Sequence, residues 1–369
     1  MNVALIHEWL TTLGGSERVV LALHDLYPQA PLFTSIHKGR NLPPAFEEID
    51  VRTSFLQGLP FSGRYYQKLL PLMPLAFEQF DLRGYDVVIS SSHACAKGVL
   101  TSPETLHISY VHTPMRYAWD LTLDYQKTLP ILLRPLAASM LHKLRIWDAV
   151  AANRVDAFLA NSRTVASRIE KHYRRKAKVI HPPVDTHRFS ISPRVEEHFL
   201  MVSRLVPYKR VDLAVEAFTE LGWPLRVVGD GPLFGKLKAK AGSNVVFTGA
   251  LPDEEVAQEL SRARALVFPA FEDFGIVPVE AQASGRPVVA FGAGGATETV
   301  VEGVTGTFFS EQTVSSLVSA LRRFERIDFD PQRIRAHALL FDRLVFQREI
   351  AQFVEQTLER REEREMIRG

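Results

Sequence analysis

Short apolar segments alternate with helical patterns along this 369-residue sequence, and that alternation limits the possible folds more than any other feature. Residues 3–6 precede a helical pattern over 16–26, and residues 199–202 precede one over 211–221. Further apolar segments of strand length are 87–90, 107–111, 157–160, 179–181, 225–228, 245–248, 265–268 and 287–290. Because buried parallel strands are short and continuously apolar, the pattern predicts α/β sheets wound on both faces by helices.

The chain is long enough for two domains, and paired prolines mark the linker between them. Pro182 and Pro183 exclude a helix, so we place the boundary near residue 190, giving domains 1–190 and 191–340. Residues 1–190 carry 22 Lys and Arg against 16 Asp and Glu, whereas the rest carry 22 against 26. A final helix over 341–364 is expected to pack back on the N-terminal domain before the charged tail 359–368 frays.

Composition excludes several classes of protein. A net charge of +2 and the lack of a reader motif disfavour nucleic acid as a partner. Cys95 is the single cysteine, so an intrachain disulfide is impossible. Residues 1–8 read as a strand rather than a signal peptide, and no apolar run suits a membrane-spanning helix. A cytoplasmic location is expected, with possible peripheral contact at the inner face of the cytoplasmic membrane.

Residues 271–285, F-E-D-F-G-I-V-P-V-E-A-Q-A-S-G, carry the most chemical information. Phe274 and Gly275 end a loop, and Ile276 begins a helix whose first amides and positive dipole end suit a diphosphate. Gly275 has no Cβ and lets a ligand approach the backbone. Glu272 precedes the helix, and Glu280 lies about one turn along it, within reach of a ribose.

The spacing of Glu272 and Glu280 resembles the E-x7-E motif of glycosyltransferase family 4, a retaining family with the GT-B fold. The resemblance implies two Rossmann-like domains facing a cleft, with the C-terminal helix crossing back. It implies that Glu272 contacts hydroxyls of the donor sugar and Glu280 the ribose, with no metal ligand and no cofactor beyond the nucleotide-sugar donor. Two incidental glutamates in a strand–helix connection are the alternative.

Residues 201–212, M-V-S-R-L-V-P-Y-K-R-V-D, resemble the family segment that supplies two cations, which places Arg204 and Lys209 beside the leaving diphosphate. Such cations replace a divalent metal by neutralising the charge that develops on the leaving group. A solvated basic loop is the alternative. Because no carboxylate nucleophile is apparent, we expect front-face attack, with the donor phosphate accepting the acceptor's proton.

Other family-like segments complete the predicted site. Gly229 lies in a glycine-rich turn beside the nucleotide, and Leu251 lies in the segment that meets the base. Gly14 and Gly15 resemble a glycine pair near the diphosphate, although a plain tight turn explains them equally well. His112 resembles the histidine that lies against the donor sugar, and its position at the end of a strand favours that role over a structural one.

Residues 61–77, 129–147 and 163–178 mix aromatic, apolar and basic side chains. They predict contact with anionic lipid or a polyprenyl-diphosphate-linked glycan, with solvated amphipathic helices as the alternative. Residues 89–99 and 110–120 resemble bacterial mannosyltransferases of surface-polysaccharide pathways, such as lipopolysaccharide synthesis. GDP-mannose is therefore the expected donor. A UDP-sugar-dependent transferase, a non-catalytic sugar-nucleotide-binding subunit and a sugar-nucleotide epimerase are the alternatives.

Overall fold

The computed structural model describes residues 1–38, 42–60, 62–127 and 129–368, apart from the side chains at 124, 364, 365, 367 and 368. Contacts divide the chain into two compact units: Met1–Pro183 together with Phe346–Gly369, and Val184–Val345. The division falls directly after the paired prolines, seven residues before the predicted boundary. The second unit ends at Val345, whereas the predicted second domain ends at residue 340.

The first unit is built on a parallel sheet with the order β3-β2-β1-β4-β5-β6-β7 among its described residues. Its strands are β1 Val3–His7, β2 Leu32–Thr34, β3 Val51–Thr53, β4 Val87–Ser92, β5 Leu106–Val111, β6 Ala157–Ala160 and β7 Ala177–Val179. The order reverses between β1 and β4. In open parallel sheets, ligands bind outside the carboxyl ends of the strands at such a reversal.

The second unit contains a parallel sheet with the order β10-β9-β8-β11-β12-β13. Its strands are β8 Phe199–Val202, β9 Leu225–Val228, β10 Val245–Gly249, β11 Leu266–Phe268, β12 Val288–Phe291 and β13 Gly306–Phe309. The order reverses between β8 and β11. Both units are therefore Rossmann-like doubly wound domains, as the alternation of strands and helices predicted.

Helices connect the strands and cover the sheets. The described α-helices are α1 Gly15–Leu26, α2 Ser62–Tyr65, α3 Met73–Glu78, α4 Thr122–Lys127, α5 Arg134–Ala152, α6 Arg163–Tyr173, α7 Val211–Leu221, α8 Phe234–Lys240, α9 Asp253–Arg262, α10 Ile276–Ala283, α11 Ala296–Thr299, α12 Val314–Phe324, α13 Pro331–Ala338 and α14 Arg343–Arg368. Short 3-10 segments include Ile131–Leu133, Pro207–Lys209 and Leu339–Phe341.

Each central strand is buried on both faces because its side chains alternate between two apolar layers. In β1, Leu5 packs into the layer that contains α1, whereas Ala4 and Ile6 pack into the layer that contains α3. In β8, Phe199 and Leu200 face opposite layers in the same way. This burial fixes the sheets and leaves the strand ends free to carry polar side chains.

The C-terminal helix differs in two respects from its prediction. Phe341 lies in a 3-10 segment, and α14 begins at Arg343 because the Asp342 carboxylate accepts a hydrogen bond from Leu344 N at 2.9 Å. The helix continues to Arg368 instead of fraying from residue 359. Phe346 and Ile350 pack in the core of the first unit.

The strand predictions missed β2, β3 and β13 and placed β7 two residues too late. β2 and β3 have only three residues each, and β13 begins with a glycine, so their patterns are too short to stand out. β7 ends at Val179, three residues before Pro182 and Pro183. For these segments, pairing with a neighbouring strand decides the conformation.

Candidate functional site

The predicted donor residues of the second unit gather where its sheet reverses direction. Arg204 follows β8, Glu272 follows β11, and Gly229 follows β9. These strands are neighbours, so their carboxyl ends lie along one edge. Residues separated by up to 68 positions in sequence are thus presented at the position where doubly wound domains bind ligands.

Helix α10 begins at this edge with its backbone amides available. It starts at Ile276, as predicted, and Gly275 precedes it with φ +87°. A Cβ on Gly275 would lie 3.0 Å from the Phe268 ring, so both the dihedral angle and the space favour glycine. The N-cap residue, a glycine, has no side chain to cap the helix, which suits the first amides to binding an anion.

Lys209 and Glu272 form an ion pair directly in front of that helix. The Lys209 ammonium donates to Glu272 Oε1, and the two side chains are 18% and 21% exposed. Arg204 is exposed at the end of β8. Arg210 lies in the left-handed region with φ +53° and begins α7, which indicates a structural role.

Two glycine loops hold these segments by close backbone contact. Gly295 N donates to Glu272 O at 2.9 Å, and a Cβ on Gly295 would lie 2.2 Å from Phe274 Cα. A Cβ on Gly229, whose φ is +132°, would lie 1.9 Å from Ser203 O. The loops after β9 and β12 therefore fix the backbone beside Arg204 and Glu272, and only glycine permits that approach.

The remaining predicted donor residues occupy the same edge. Phe274 is buried, and Ile276 and Leu251 pack partly against the same apolar layer. Gly229 N donates to Gly249 O at 2.8 Å, which links the glycine-rich turn to the loop that carries Leu251. Glu280 is half-buried on α10.

In the first unit, His112 belongs to a chain of hydrogen-bonded side chains where β1, β4 and β5 end. Its Nε2 lies 2.8 Å from Ser91 Oγ, and the same hydroxyl lies 3.2 Å from His7 Nδ1. His7 Nε2 lies 3.3 Å from Glu17 Oε1 on α1. Burial, with His93 and His7 nearby, holds the pKa of His112 well below its ordinary value, so the ring is neutral at neutral pH.

Glu17 orders the hydrogen bonds in this chain. Burial alone would raise the pKa of Glu17, but its hydrogen bond to His7 and the charge of that ring outweigh burial and lower the pKa to about 2. The ionised carboxylate only accepts, so His7 Nε2 donates to it. Ser91 Oγ then links the His7 ring to the His112 ring in the same chain of contacts.

Gly14 and Gly15 form the start of α1 beside that chain. Glu17 Oε2 accepts a hydrogen bond from Gly14 N at 2.9 Å and from Ser16 Oγ at 3.0 Å. A Cβ on Gly14 would lie 2.9 Å from the same carboxylate oxygen. The glycine pair thus has a structural task, and its predicted role near the diphosphate remains a prediction.

Glu8 follows β1, and its side chain, like that of His7, is fully buried. Glu8 Oε1 accepts from the backbone amides of residues 93, 94 and 96 at 2.7–3.0 Å, and Oε2 accepts from Cys95 N at 2.8 Å. Glu8 therefore fixes the loop after β4.

Sequence reasoning also missed a buried ion pair beneath this loop. The Lys97 ammonium donates to Asp148 Oδ1, and both side chains are at most 2% exposed. Asp148 Oδ2 accepts from Trp119 Nε1 at 2.7 Å and from the Tyr173 hydroxyl at 2.9 Å. The pair joins four distant segments, and nothing in the local sequence around either residue signals it.

Two family models match consecutive parts of the chain. Residues 13–188 match the model described as Glycosyltransferase Family 4, and residues 185–339 match the model described as Glycosyl transferases group 1. Together the two models account for residues 13–339. Each part of the chain thus resembles a glycosyltransferase domain, and the two Rossmann-like domains match the GT-B fold of solved structures.

Curated relatives carry similar descriptions. A GDP-mannose-dependent alpha-(1-6)-phosphatidylinositol monomannoside mannosyltransferase of Mycolicibacterium smegmatis is 33% identical over 50% of this chain and 56% of the relative. The D-rhamnosyltransferase WbpZ of Pseudomonas aeruginosa is 28% identical over 53% of this chain and 54% of the relative. The chain thus spans about half the length of the curated relatives it matches.

Solved structures share the fold. Sucrose-phosphate synthase from Thermosynechococcus elongatus superposes with a TM-score of 0.75 at 17% identity, covering 97% of this chain and 100% of that one. Anabaena HepE, solved in complex with UDP and glucose, gives a TM-score of 0.70 at 19% identity, covering 96% and 99%.

Two features are absent from the described residues. None of the described helices combines the length and the apolar composition needed to cross a membrane. Across the same part of the chain, no three His, Cys, Asp or Glu side chains gather as a metal site would require.

Proposed function

We propose that this protein is a retaining, metal-independent glycosyltransferase that moves a hexose from a nucleotide sugar to a lipid-linked or glycan acceptor in surface-polysaccharide synthesis. The observation that carries the proposal is the Lys209–Glu272 pair at the segment that leads into α10, whose N-cap is Gly275. A helix start and a cation suit a diphosphate, and a carboxylate beside them suits sugar hydroxyls.

Each residue then has a role in the transfer. The α10 amides, Lys209 and Arg204 bind the diphosphate and stabilise the charge that develops when the glycosidic bond breaks. Glu272 accepts hydrogen bonds from the donor sugar, and Lys209 orients that carboxylate. His112 contacts a hydroxyl of the donor sugar. The acceptor hydroxyl attacks from the face of the leaving group, whose phosphate oxygen takes its proton.

GDP-mannose is the donor we favour, and UDP-sugars are the second candidate. The description of the mycobacterial relative supports mannose and guanine, while solved structures of the same fold bind UDP. A thermal-shift screen against GDP-, UDP-, ADP- and dTDP-sugars ranks them, because a ligand that binds only the folded state raises the melting temperature. A larger rise with a UDP-sugar than with GDP-mannose would overturn the choice.

Donor hydrolysis and transfer with EDTA present test the activity itself. Glu272→Gln should lower kcat by about 100-fold or more, because it removes a charged contact to the reacting sugar. Glu220→Gln, an exposed glutamate at the end of α7, is the matched control and should keep full activity. Full turnover in Glu272→Gln would refute its role, and nucleotide binding without turnover in the unmodified chain would favour a non-catalytic subunit.

Peripheral contact with an anionic membrane on the cytoplasmic side is part of the proposal. Ile131, Leu132 and Leu136 are 74%, 91% and 71% exposed, and Arg134 lies between them. Exposed apolar side chains next to a cation are typical of segments that enter a lipid interface. Flotation with anionic vesicles should decrease at high salt and in the Ile131→Ser/Leu132→Ser variant, but not in Val195→Ser. Failure of the unmodified chain to bind vesicles at low salt would refute the proposed membrane contact.

A further inference from the structure

A cavity of about 570 Å³ lies within the first unit, beside the hydrogen-bonded chain of His112: its wall includes His93, whose ring centroid lies 6.2 Å from that of His112. Residues 67–73, 113–117 and 125–141 contribute to its wall, and Trp9 and His93 complete it. Its volume falls within the range of about 300–1,000 Å³ that is usual for small-molecule sites. Two of the three segments whose mixed composition suggested a lipid, 61–77 and 129–147, thus meet in one place, whereas 163–178 does not line the cavity and Phe61 lies outside the described residues.

Most of the wall is apolar and flexible. It includes Leu70, Met73, Leu129, Met140 and Leu141. Unbranched methionine side chains adapt to ligands of irregular shape. The segment that supplies Leu129 continues directly into the exposed residues 131–133. The exposed apolar residues 131–133 therefore follow one side of the cavity directly in sequence.

One part of the wall holds polar atoms without partners. Arg116 Nε and the Tyr117 hydroxyl are both buried and make no hydrogen bond to any described residue. A buried donor without a partner is destabilising, so an unexplained pair in one cavity points to a missing acceptor. Both groups donate, and phosphate oxygens accept such bonds strongly.

The charge of the wall favours an anion. Lys68 and Arg116 are cationic, and among the described residues that line the cavity none is acidic. His93 is the other titratable group with a basic side chain, and burial lowers its pKa, which keeps it neutral. A carboxylate wall would repel a phosphate, and this cavity has none in its described part.

We infer that this cavity binds an amphiphile made of a prenyl-like chain and a phosphate group, with the chain against Leu70 and Met140 and the phosphate at Arg116 and Tyr117. The inference rests on the proposed function, for which it names the acceptor class as a lipid phosphate. It identifies Arg116 and Tyr117 as binding residues for the head group and Ala137 as a residue whose size keeps the cavity open.

Isothermal titration of the full chain with geranyl phosphate, geraniol and inorganic phosphate tests this inference. Geranyl phosphate should bind more tightly than either of the others. Arg116→Gln and Tyr117→Phe should each weaken it by about tenfold while leaving geraniol binding unchanged. Ala137→Trp should abolish binding of both prenyl compounds. Ser139 is exposed on the same helix and does not line the cavity. The Ser139→Trp variant should therefore bind both prenyl compounds as the unmodified chain does.

The outcomes separate this inference from the proposed function. Equal binding of inorganic and geranyl phosphate would overturn it, as would geranyl phosphate affinity unchanged by both Arg116→Gln and Ala137→Trp. Nucleotide binding, followed by thermal shift in the same variants, should be unaffected. A chain that binds geranyl phosphate but no nucleotide sugar would refute the transferase and keep the amphiphile site, whereas the reverse would refute only the site.

Discussion

Removing the Asp148 carboxylate should destabilise the first unit more than any surface charge does. Asp148→Ala leaves the Lys97 ammonium buried and uncompensated, because both side chains are at most 2% exposed. Breaking a buried pair in this way costs about 3–5 kcal/mol. Trp119 and Tyr173 also lose their acceptor, which places the expected loss toward the upper end of that range.

Urea unfolding followed by tryptophan fluorescence measures this loss. Trp9, Trp119 and Trp147 lie in the first unit, so the signal of the four tryptophans reports mainly on it. Asp50→Ala is the control, because its pair with Arg52 is more than half exposed and should contribute less than about 1 kcal/mol.

A double-mutant cycle then separates the pair from its surroundings. Lys97→Met and Asp148→Leu together should cost less than the sum of the single changes, because the double variant leaves no unpaired charge. Additive losses, within about 0.5 kcal/mol, would show that the two groups do not interact energetically and would refute the reasoning.

Three further outcomes follow from the same structure. Gly295→Ala should destabilise the second unit by about 1–3 kcal/mol in denaturant unfolding, since its Cβ would meet Phe274 backbone, whereas Gly235→Ala, with open space around it, should not. Ser91→Ala should lower kcat more than it raises the donor KM, and Ser91→Thr, which keeps a hydroxyl, should restore kcat. An unchanged kcat in Ser91→Ala would show that the hydroxyl does not act through His112. The stability that Glu17 adds, measured against Glu17→Gln, should be present above pH 4.5 and fall as the pH approaches 2, because its folded pKa is lowered; a pH-independent difference would contradict the assignment.

The doubly wound class and the start of α10 follow from local sequence. Apolar strand patterns followed by helices occur in both halves, and a glycine before Ile276 with a proline in the first turn specifies a helix start. These signals are local, because hydrophobic periodicity and backbone dihedral preferences act within a few residues. The strands β2, β3 and β13 escaped prediction because pairing with neighbours, rather than their own pattern, forms them.

Tertiary structure alone decided which side chains meet. Lys209 reaches Glu272 across 63 positions, Lys97 reaches Asp148 across 51, and Ser91 connects two histidines from different strands. The same residues at the same spacings give no sign of these contacts, because sheet order determines which strand ends are neighbours. Sequence named the donor-side residues by type, but the burial that neutralises His112 and leaves Arg116 Nε without a partner exists only once the chain has packed.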